Sequence, residues 1–289
     1  MKHGTRTTLI TLVALTFALG LLAVPGRQGT ANSRTLNPPA QVTELQPDYA
    51  TPAPTPCSAP GDAAKALKCL KDGNVRWQKT ALCSDGKGCS GQTKMMPRNW
   101  GKERGYTADK QNPFAVVLSC MDSRVPPELV FDQGLGDIFV IRVAGPVLGP
   151  DELASLEYAI VVKHVALVVV LGHTNCGAVE AAAARPPGTR GSGTYLPELL
   201  DKIEPAVKWV SKEYKVRLPI SNEDQTNLSR VSSANAKIVR DEILSKPALR
   251  QAGVDVTWGL YYVSCGKVAF KPGDVVPDPC LAPLSRRRR

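Results

Sequence analysis

Short apolar runs, separated by amphipathic stretches, recur along most of the chain. Residues 114–118 and 165–171 are rich in β-branched side chains and contain no polar residue, which is typical of strands buried on both faces of a parallel sheet. Residues 138–143 predict another parallel strand, and residues 257–263 and 267–270 alternate well enough to predict closing strands. The pattern predicts a single α/β domain with a mainly parallel β-sheet flanked by helices.

Helices are predicted where apolar residues recur at helical spacing behind a residue that starts helices. Asp62 is expected to cap a helix that runs to about Gln78, and Asp151 to cap another. Pro126 and Pro127 open a short helix, because proline is tolerated in a first helical turn. Further helices are predicted at residues 174–184, 196–214 (with a kink at Pro205) and 223–244, and an irregular connection at residues 82–113.

The amino-terminal end predicts export. Lys2 and Arg6 precede an apolar run at residues 9–24, and small residues follow it, so residues 1–31 have the arrangement of a secretory signal peptide. The run is shorter than the roughly 20 residues of a comfortable membrane span, which favours cleavage over the alternative of an uncleaved anchor. A periplasmic or extracellular protein is therefore expected. Residues 32–60 predict a linker rich in Pro and Thr, and residues 61–280 contain the folded domain.

The charge is partly an effect of the carboxyl-terminal end. The net charge is +10, and residues 286–289 are four arginines within a basic tail at residues 281–289 that is expected to be disordered. Such a tail predicts at most a weak contact with an anionic surface of lipid, polysaccharide or cell-wall polymer. The chain contains no basic motif interleaved with aromatic residues, so nucleic-acid binding is not expected.

Candidate chemistry lies directly after the two most apolar runs. Cys120 follows the first run, and His173 and Cys176 follow the second. Because ligands bind at the carboxyl ends of strands in open α/β sheets, the three side chains are expected to meet. Two thiolates and one imidazole suit zinc, and a site with three protein ligands leaves the fourth position for water or substrate. Asp122 and Arg124 add a charged pair, so the sequence predicts a catalytic zinc site.

Four motifs resemble those of the β-class carbonic anhydrases. They are Cys-x-Asp-Ser-Arg-Val-Pro-Pro-Glu, Gly-Leu-Gly-Asp-Ile-Phe-Val-Ile-Arg-Val-Ala-Gly, Leu-Glu-Tyr-Ala and Gly-His-x-x-Cys-Gly-Ala, within a resemblance over about residues 63–270. The resemblance implies one Zn²⁺ per subunit, held by Cys120, His173 and Cys176, with Asp122 and Arg124 as the catalytic pair. It also implies reversible hydration of CO2 to bicarbonate and a proton, by attack of zinc-bound hydroxide on CO2.

The same resemblance implies a substrate pocket and an oligomer. Gln111 matches a substrate-orienting glutamine, Phe139 and Tyr158 match apolar wall positions, and Gly177 matches the glycine after the second cysteine. The family's cleft is shared between subunits, which implies a homodimer or a dimer-based higher oligomer whose amino-terminal helix packs on the partner subunit. Pro146 departs from the family pattern, in which many relatives have Asn. Without the resemblance, the glutamine and the two aromatic residues are equally compatible with turn or core positions.

Three alternatives remain at this point. A related hydrolase would use the same site on carbonyl sulfide or carbon disulfide. A zinc-binding protein without catalysis would keep the fold, although metal storage has no need of Asp122 and Arg124. In part of the family the equivalent Asp becomes a fourth zinc ligand in a closed, pH-dependent state, and the sequence does not decide whether Asp122 does so.

The remaining cysteines support export. Six of the eight cysteines are left after the zinc site, an even number that suits disulfides in an oxidising compartment. Six cysteines allow 15 connectivities, so the pairing stays open. The preferred pairs close short loops or follow by elimination, and they are Cys83–Cys89, Cys265–Cys280 and Cys57–Cys69. A second zinc site that includes His164 is the weaker alternative.

Overall fold

The structure of the chain is a computed structural model that describes residues 62–79, 98–189 and 195–273. All of these residues belong to a unit that spans Asp48–Arg289, and the other unit, Met1–Pro47, lies outside the described residues. The predicted signal peptide, linker and basic tail also lie outside them and stay predictions. None of the described helices combines the length and apolarity needed to cross a membrane.

A five-stranded sheet organises the domain, as the apolar runs predict. Its strands, in chain order, are β1 (Ala115–Ser119), β2 (Ile138–Arg142), β3 (Leu167–His173), β4 (Asp255–Tyr262) and β5 (Lys267–Phe270). Their order in the sheet is β2-β1-β3-β4-β5. The first four strands are parallel, and β5 pairs with β4 in the antiparallel direction. The predicted α/β fold with a mainly parallel sheet is confirmed.

The two central strands form the core of the sheet. Every residue of β1 and β3 is buried, whereas β2, at the edge, is only partly buried. One face packs on a cluster that contains Leu70 and Phe131, and the other on a cluster that contains Leu156 and Ile243. Burying one such side chain contributes about 1.5–3 kcal/mol, so coverage of both faces explains why these runs carry no polar residue.

Helices cover both faces of the sheet. They are α1 (Ala63–Gln78), α2 (Trp100–Tyr106), α3 (Pro127–Val130), α4 (Pro150–Glu157), α5 (Gly177–Ala183), α6 (Tyr195–Tyr214), α7 (Gln225–Ser245) and α8 (Pro247–Gln251), with a π-helical turn (Tyr158–Val162) directly after α4. Helix α7 packs on β3, β4 and α6, and α5 packs on α6. The helices predicted near residues 62–78, 196–214 and 223–244 are confirmed within two residues at each end.

Three local predictions are wrong. Helix α2 lies inside the segment expected to be irregular, because Asn99 caps it by accepting a hydrogen bond from Lys102 N at 3.0 Å. Gly149, not Asp151, is the N-cap of α4, since Pro150 takes the first helical position and moves Asp151 into the first turn. Helix α5 begins at Gly177, three residues later than expected, and α8 has no counterpart among the predictions.

Helix α1 packs against its own subunit. The Asp62 side chain accepts a hydrogen bond from the Lys65 backbone at 3.1 Å, which confirms the predicted cap. Leu70 is fully buried beneath the sheet. Buried Asn74 donates to the Val130 carbonyl at 3.0 Å and accepts from the Val268 backbone at 2.9 Å. These contacts account for the apolar face of α1, and its packing on a partner subunit stays a prediction.

Candidate metal centre

The carboxyl ends of β1 and β3 bring three metal-ligating side chains together. Cys120 directly follows β1, His173 is the last residue of β3, and Cys176 is the N-cap of α5. Their ligand atoms lie within 4.8 Å of one another, and all three residues are buried. Because β1 and β3 are parallel neighbours, residues that are far apart in the sequence lie close together at their carboxyl ends, as the sequence predicts.

The donor set fits zinc. His173 Nδ1 lies 2.9 Å from the Thr174 carbonyl oxygen, which places the ring proton on Nδ1 and leaves Nε2 with a lone pair. Nε2 is buried and has no hydrogen-bond partner among the described residues. The Cys120 and Cys176 sulfurs lie 4.0 Å apart. Tetrahedral zinc with Zn–S bonds of about 2.3 Å separates two sulfurs by about 3.8 Å, so the spacing matches.

The two thiols have pKa values shifted in opposite directions. The hydrogen bond shared by the two sulfurs lowers the pKa of Cys120 and, together with burial, raises that of Cys176. The Cys120 sulfur also accepts the backbone N–H groups of Gly145 at 3.4 Å and Asp122 at 3.5 Å. A buried pair of this kind becomes two thiolates only when a cation compensates their charge, as a metal ion does.

Asp122 and Arg124 form a fixed ion pair beside the cluster. Arg124 Nε lies 2.9 Å from Asp122 Oδ1 and Nη2 lies 2.6 Å from Oδ2. The Arg124 guanidinium lowers the pKa of the Asp122 carboxyl to about 2. Nη2 also donates to the Asn175 carbonyl at 2.9 Å, so the arginine links the segments that follow β1 and β3. Within the described residues, the cluster of metal-ligating atoms includes no fourth residue.

Arg142, Ser232 and Asn235 contact the site but were missed from the sequence. Arg142 Nε donates to the Cys120 carbonyl at 3.0 Å, and its Nη2 donates to the Asp122 carbonyl at 2.5 Å. Ser232 and Asn235 contact the site from α7, far away in sequence. Arg142 lies within the quoted motif at residues 134–145, which is a usable signal. A serine and an asparagine inside a helix give no such signal.

The other predicted site residues do not join the cluster. Gln111 is exposed and, in the part of the chain that the structure describes, forms no hydrogen bond with the metal-ligating residues. Phe139 and Tyr158 contact each other edge to face, with ring centroids 6.2 Å apart, and line a cavity of about 400 Å³. Gly177 is the first residue of α5, next to Cys176. Substrate contacts by these four residues stay predictions.

The cysteines divide as expected into metal-site and disulfide groups. Cys120 and Cys176 are free, whereas Cys69 and Cys265 are disulfide-bonded. The other cysteines of the predicted pairs lie outside the described residues, so the connectivity stays a prediction. His164 is exposed and belongs to no metal-ligating group among the described residues, so it gives no support to a second zinc site.

Comparison with known proteins gives the same family at the level of sequence. The family model described as carbonic anhydrase matches residues 115–268. A carbonic anhydrase of Mycolicibacterium smegmatis is 33% identical over 213 residues, which cover 73% of this chain and 95% of that protein. Carbonic anhydrase 2 of Mycobacterium tuberculosis is 40% identical over 142 residues, 49% of this chain. The match spans 63% of the length of the M. tuberculosis protein.

Solved structures share the fold. Tetrameric β-carbonic anhydrases from the ascomycete Sordaria macrospora align with a TM-score of 0.52 at 21% identity, over 60% of this chain and 91% of theirs. A Coccomyxa β-carbonic anhydrase, solved in complex with acetazolamide, aligns with a TM-score of 0.51 at 21% identity, over 59% of this chain and 77% of its own. At such identities the likeness concerns the arrangement of the sheet and its helices.

Proposed function

The chain belongs to the β-class carbonic anhydrase family, and on this basis we propose that it catalyses the reversible hydration of CO2 to bicarbonate and a proton. The observation that carries the proposal is the buried group of Cys120, His173 and Cys176 with an ion pair beside it. A protein that only stores zinc gains nothing from Asp122 and Arg124. The pair therefore favours catalysis over storage.

The three ligands have the composition of a catalytic zinc site, with one position left for solvent. Zn²⁺ held there supplies acidification of a coordinated water molecule, whose pKa falls from about 15.7 towards neutrality, and so provides the nucleophile. The Cys120 and Cys176 thiolates offset the charge of the ion. The pKa of the coordinated water is therefore expected to fall less than it would with three neutral imidazole ligands. A somewhat alkaline pH optimum for CO2 hydration is expected.

Asp122 acts as a hydrogen-bond acceptor. With its pKa at about 2, the carboxyl stays ionised throughout the neutral range, and an ionised carboxylate can only accept hydrogen bonds. Arg124 occupies part of its acceptor capacity and fixes its direction. The remaining lone pairs can accept the hydrogen of the attacking oxygen and direct that oxygen's free lone pair at the carbon of CO2. Asp122 therefore orients the nucleophile and does not store the released proton.

The apolar wall suits the substrate. CO2 is small and carries no charge, so aromatic rings with few donors suit its binding. Phe139 and Tyr158 provide such rings, and the Gln111 amide can donate to an oxygen of bicarbonate. Because Tyr158 is 46% exposed and Gln111 is exposed, we assign these residues to a cleft that is completed in a homodimer or a dimer-based higher oligomer.

Export is part of the proposal. The amino-terminal apolar run with its preceding basic residues, and the disulfide bonds at Cys69 and Cys265, both suit a periplasmic or extracellular enzyme. Outside the cytoplasm, the basic tail at residues 281–289 would contact anionic surfaces weakly. Cell fractionation tests this: the mature enzyme, shortened by the leader, is expected in the exported fraction, and full-length protein confined to the cytoplasm would contradict it.

Stopped-flow measurement of CO2 hydration tests the reaction. The zinc-loaded protein is expected to be active, and both Cys120→Ser and Asp122→Asn to lose nearly all activity, the first together with zinc and the second with zinc retained. Asp151→Asn, in the exposed first turn of α4, is the matched control and is expected to keep full activity. Turnover of carbonyl sulfide or carbon disulfide without CO2 hydration would contradict the proposal, as would bound zinc with neither activity.

A further inference from the structure

Two buried polar residues of α7 contact the segments that carry two of the metal ligands. Ser232 and Asn235 are 3% and 1% exposed, respectively, and lie three positions apart on the helix. Residues at that spacing share one face of a helix. This face also packs against β3, the strand that ends in His173.

Ser232 fixes the backbone of His173. Its hydroxyl oxygen accepts a hydrogen bond from the His173 N–H at 3.0 Å. The contact depends on Gly172, where a Cβ would come within 2.7 Å of the Ser232 carbonyl oxygen. Any larger residue at position 172 would push α7 away from the strand. A buried backbone N–H needs an acceptor, and the helix supplies it at the position of a metal ligand.

Asn235 fixes the turn that contacts Cys120. Its Nδ2 lies 2.7 Å from the Gly145 carbonyl oxygen and 3.3 Å from that of Pro146. Gly145 has φ +71°, and a Cβ there would come within 2.5 Å of Ile203 Cδ1, so the turn requires glycine. The N–H of the same glycine donates to the Cys120 sulfur at 3.4 Å.

The orientation of the Asn235 amide is determined by these contacts. Turning the amide over would bring its oxygen against two carbonyl oxygens, so the NH2 group must face the turn. Pro146 has no N–H with which to hold the turn from within. The amide of α7 is therefore the group that ties both carbonyls of the Gly145–Pro146 turn to the rest of the domain.

We propose that Ser232 and Asn235 are positioning residues of the metal centre, which hold His173 and the N–H donor of Cys120 in the geometry that zinc requires. The inference rests on the proposed function, because it concerns the same site. Contacts that orient metal ligands typically change metal affinity or activity by about 10–100-fold when they are removed. A helix with no ligand of its own thus sets the affinity of the site.

Zinc affinity and cobalt spectra of three variants test the proposal. Ser232→Ala removes one oxygen atom, Asn235→Leu replaces the amide by an apolar group of similar size, and Ser233→Ala is the matched control on the same helix. We expect the zinc dissociation constant, measured by competition with a chromophoric chelator, to rise about 10–100-fold in the first two variants and to stay unchanged in the third. In Co²⁺-loaded protein, the sulfur-to-cobalt absorption band is expected to shift in the same two variants.

The outcomes separate this proposal from the proposed function. Wild-type protein that binds no zinc, or binds it without hydrating CO2, would overturn the function. Wild-type protein that does both, with Ser232→Ala and Asn235→Leu matching it in zinc affinity and cobalt spectrum, would overturn only the positioning role, even if their melting temperatures fall. If Asn235→Leu does not fold, Ser232→Ala decides the matter.

Discussion

Two regions of the proposed site differ in how completely a single chain buries them. The first, here called the metal end, is the carboxyl end of β1 and β3, and the second is the edge strand β2. At the metal end, Cys120, His173 and Cys176 are buried, and Asp122 is paired with Arg124. Along β2, the side chains are only partly buried and Tyr158 is 46% exposed. The groups for bond making are thus assembled within one chain, whereas the proposed substrate wall is left partly exposed, as expected if a second subunit completes it.

The cause of the difference lies in the position of the strands. β1 and β3 are neighbours in the middle of a parallel sheet, so their carboxyl ends converge and helices cover them on both faces. Within residues 62–79, 98–189 and 195–273, β2 pairs with β1 alone and is the edge strand of the sheet. Phe139 of β2 contacts Tyr158, and the π-helical turn that begins at Tyr158 also carries the exposed apolar residues Val161 and Val162, at 42% and 57% exposure. Exposed apolar residues of this kind are typical of a surface that another chain covers.

Removing the imidazole ligand is expected to have the largest effect. His173→Ala leaves two thiolates without the third ligand, so zinc is lost and the hydration rate falls by at least about 10³-fold. Elemental analysis and stopped-flow hydration measure both quantities. His164→Asn, at an exposed histidine with φ +53°, is the matched control and should retain both. Full activity of His173→Ala would mean that the metal end is not where the chemistry occurs.

Changing the ion pair should affect turnover while zinc stays bound. Arg124→Lys keeps the positive charge but cannot make the paired contacts to both Asp122 oxygens and the contact to the Asn175 carbonyl, so kcat is expected to fall about 10–100-fold. Zinc content should stay at one per chain. Arg104→Lys, on exposed α2, serves as the control. If Arg124→Lys keeps the wild-type kcat, only the positive charge of Arg124 matters and its paired contacts to Asp122 do not.

A charge introduced on the exposed apolar surface after α4 is expected to weaken the association of subunits. Val162→Glu places a carboxylate at the exposed end of the π-helical turn that follows α4, so the dimer dissociation constant should rise at least about 10-fold, which corresponds to about 1.4 kcal/mol. Analytical ultracentrifugation measures it, together with zinc content, which should not change. Tyr195→Glu, on a residue that is 92% exposed, is the control. Intact assembly in Val162→Glu would show that the partner does not cover this face.

The smallest expected effect is a difference between Asp137 and Asp122 in how their carboxyl groups change stability with pH. Burial raises the pKa of Asp137, at the start of β2, whereas Arg124 lowers that of Asp122 to about 2. A raised folded-state pKa contributes stability that is lost as pH rises through it, and a lowered one contributes stability that is lost only in strong acid. As the pH falls from 7 towards the unfolded-state value of 3.8, the melting temperature of the wild type should therefore rise relative to Asp137→Asn, and it should stay parallel to Asp122→Asn until the pH approaches that value. Parallel curves for both variants would contradict these shifts.

The fold and the metal ligands could be predicted because their signals are local. An apolar run such as residues 165–171 predicts a buried strand, and a ligand directly after it must lie at the strand's carboxyl end. Helix α2 escaped prediction because its two glycines and the prolines around it suggested a loop, while the Asn99 cap decided the structure. A sequence pattern locates the first residue of a helix only to within a few positions. It therefore does not decide which residue is the N-cap.

The supporting residues of the site could not be predicted for a different reason. Ser232 and Asn235 act across 59 and 90 positions of chain, respectively, and each acts on a backbone group. Each contact requires glycine at a nearby position, Gly172 or Gly145, but a glycine in the sequence does not show which distant side chain contacts the backbone there. Only the packing of α7 on β3 brings these groups together.

Zinc-edge X-ray absorption on active protein tests the central claim most directly. The expected result is one zinc per chain with two sulfur ligands at about 2.3 Å and two lighter ligands at about 2.0–2.2 Å, one an imidazole nitrogen and the other an exchangeable solvent oxygen. Addition of bicarbonate should alter the lighter-ligand signal and leave the sulfur signal unchanged. A site with no zinc, or with a fourth protein ligand throughout the active pH range, would contradict the account.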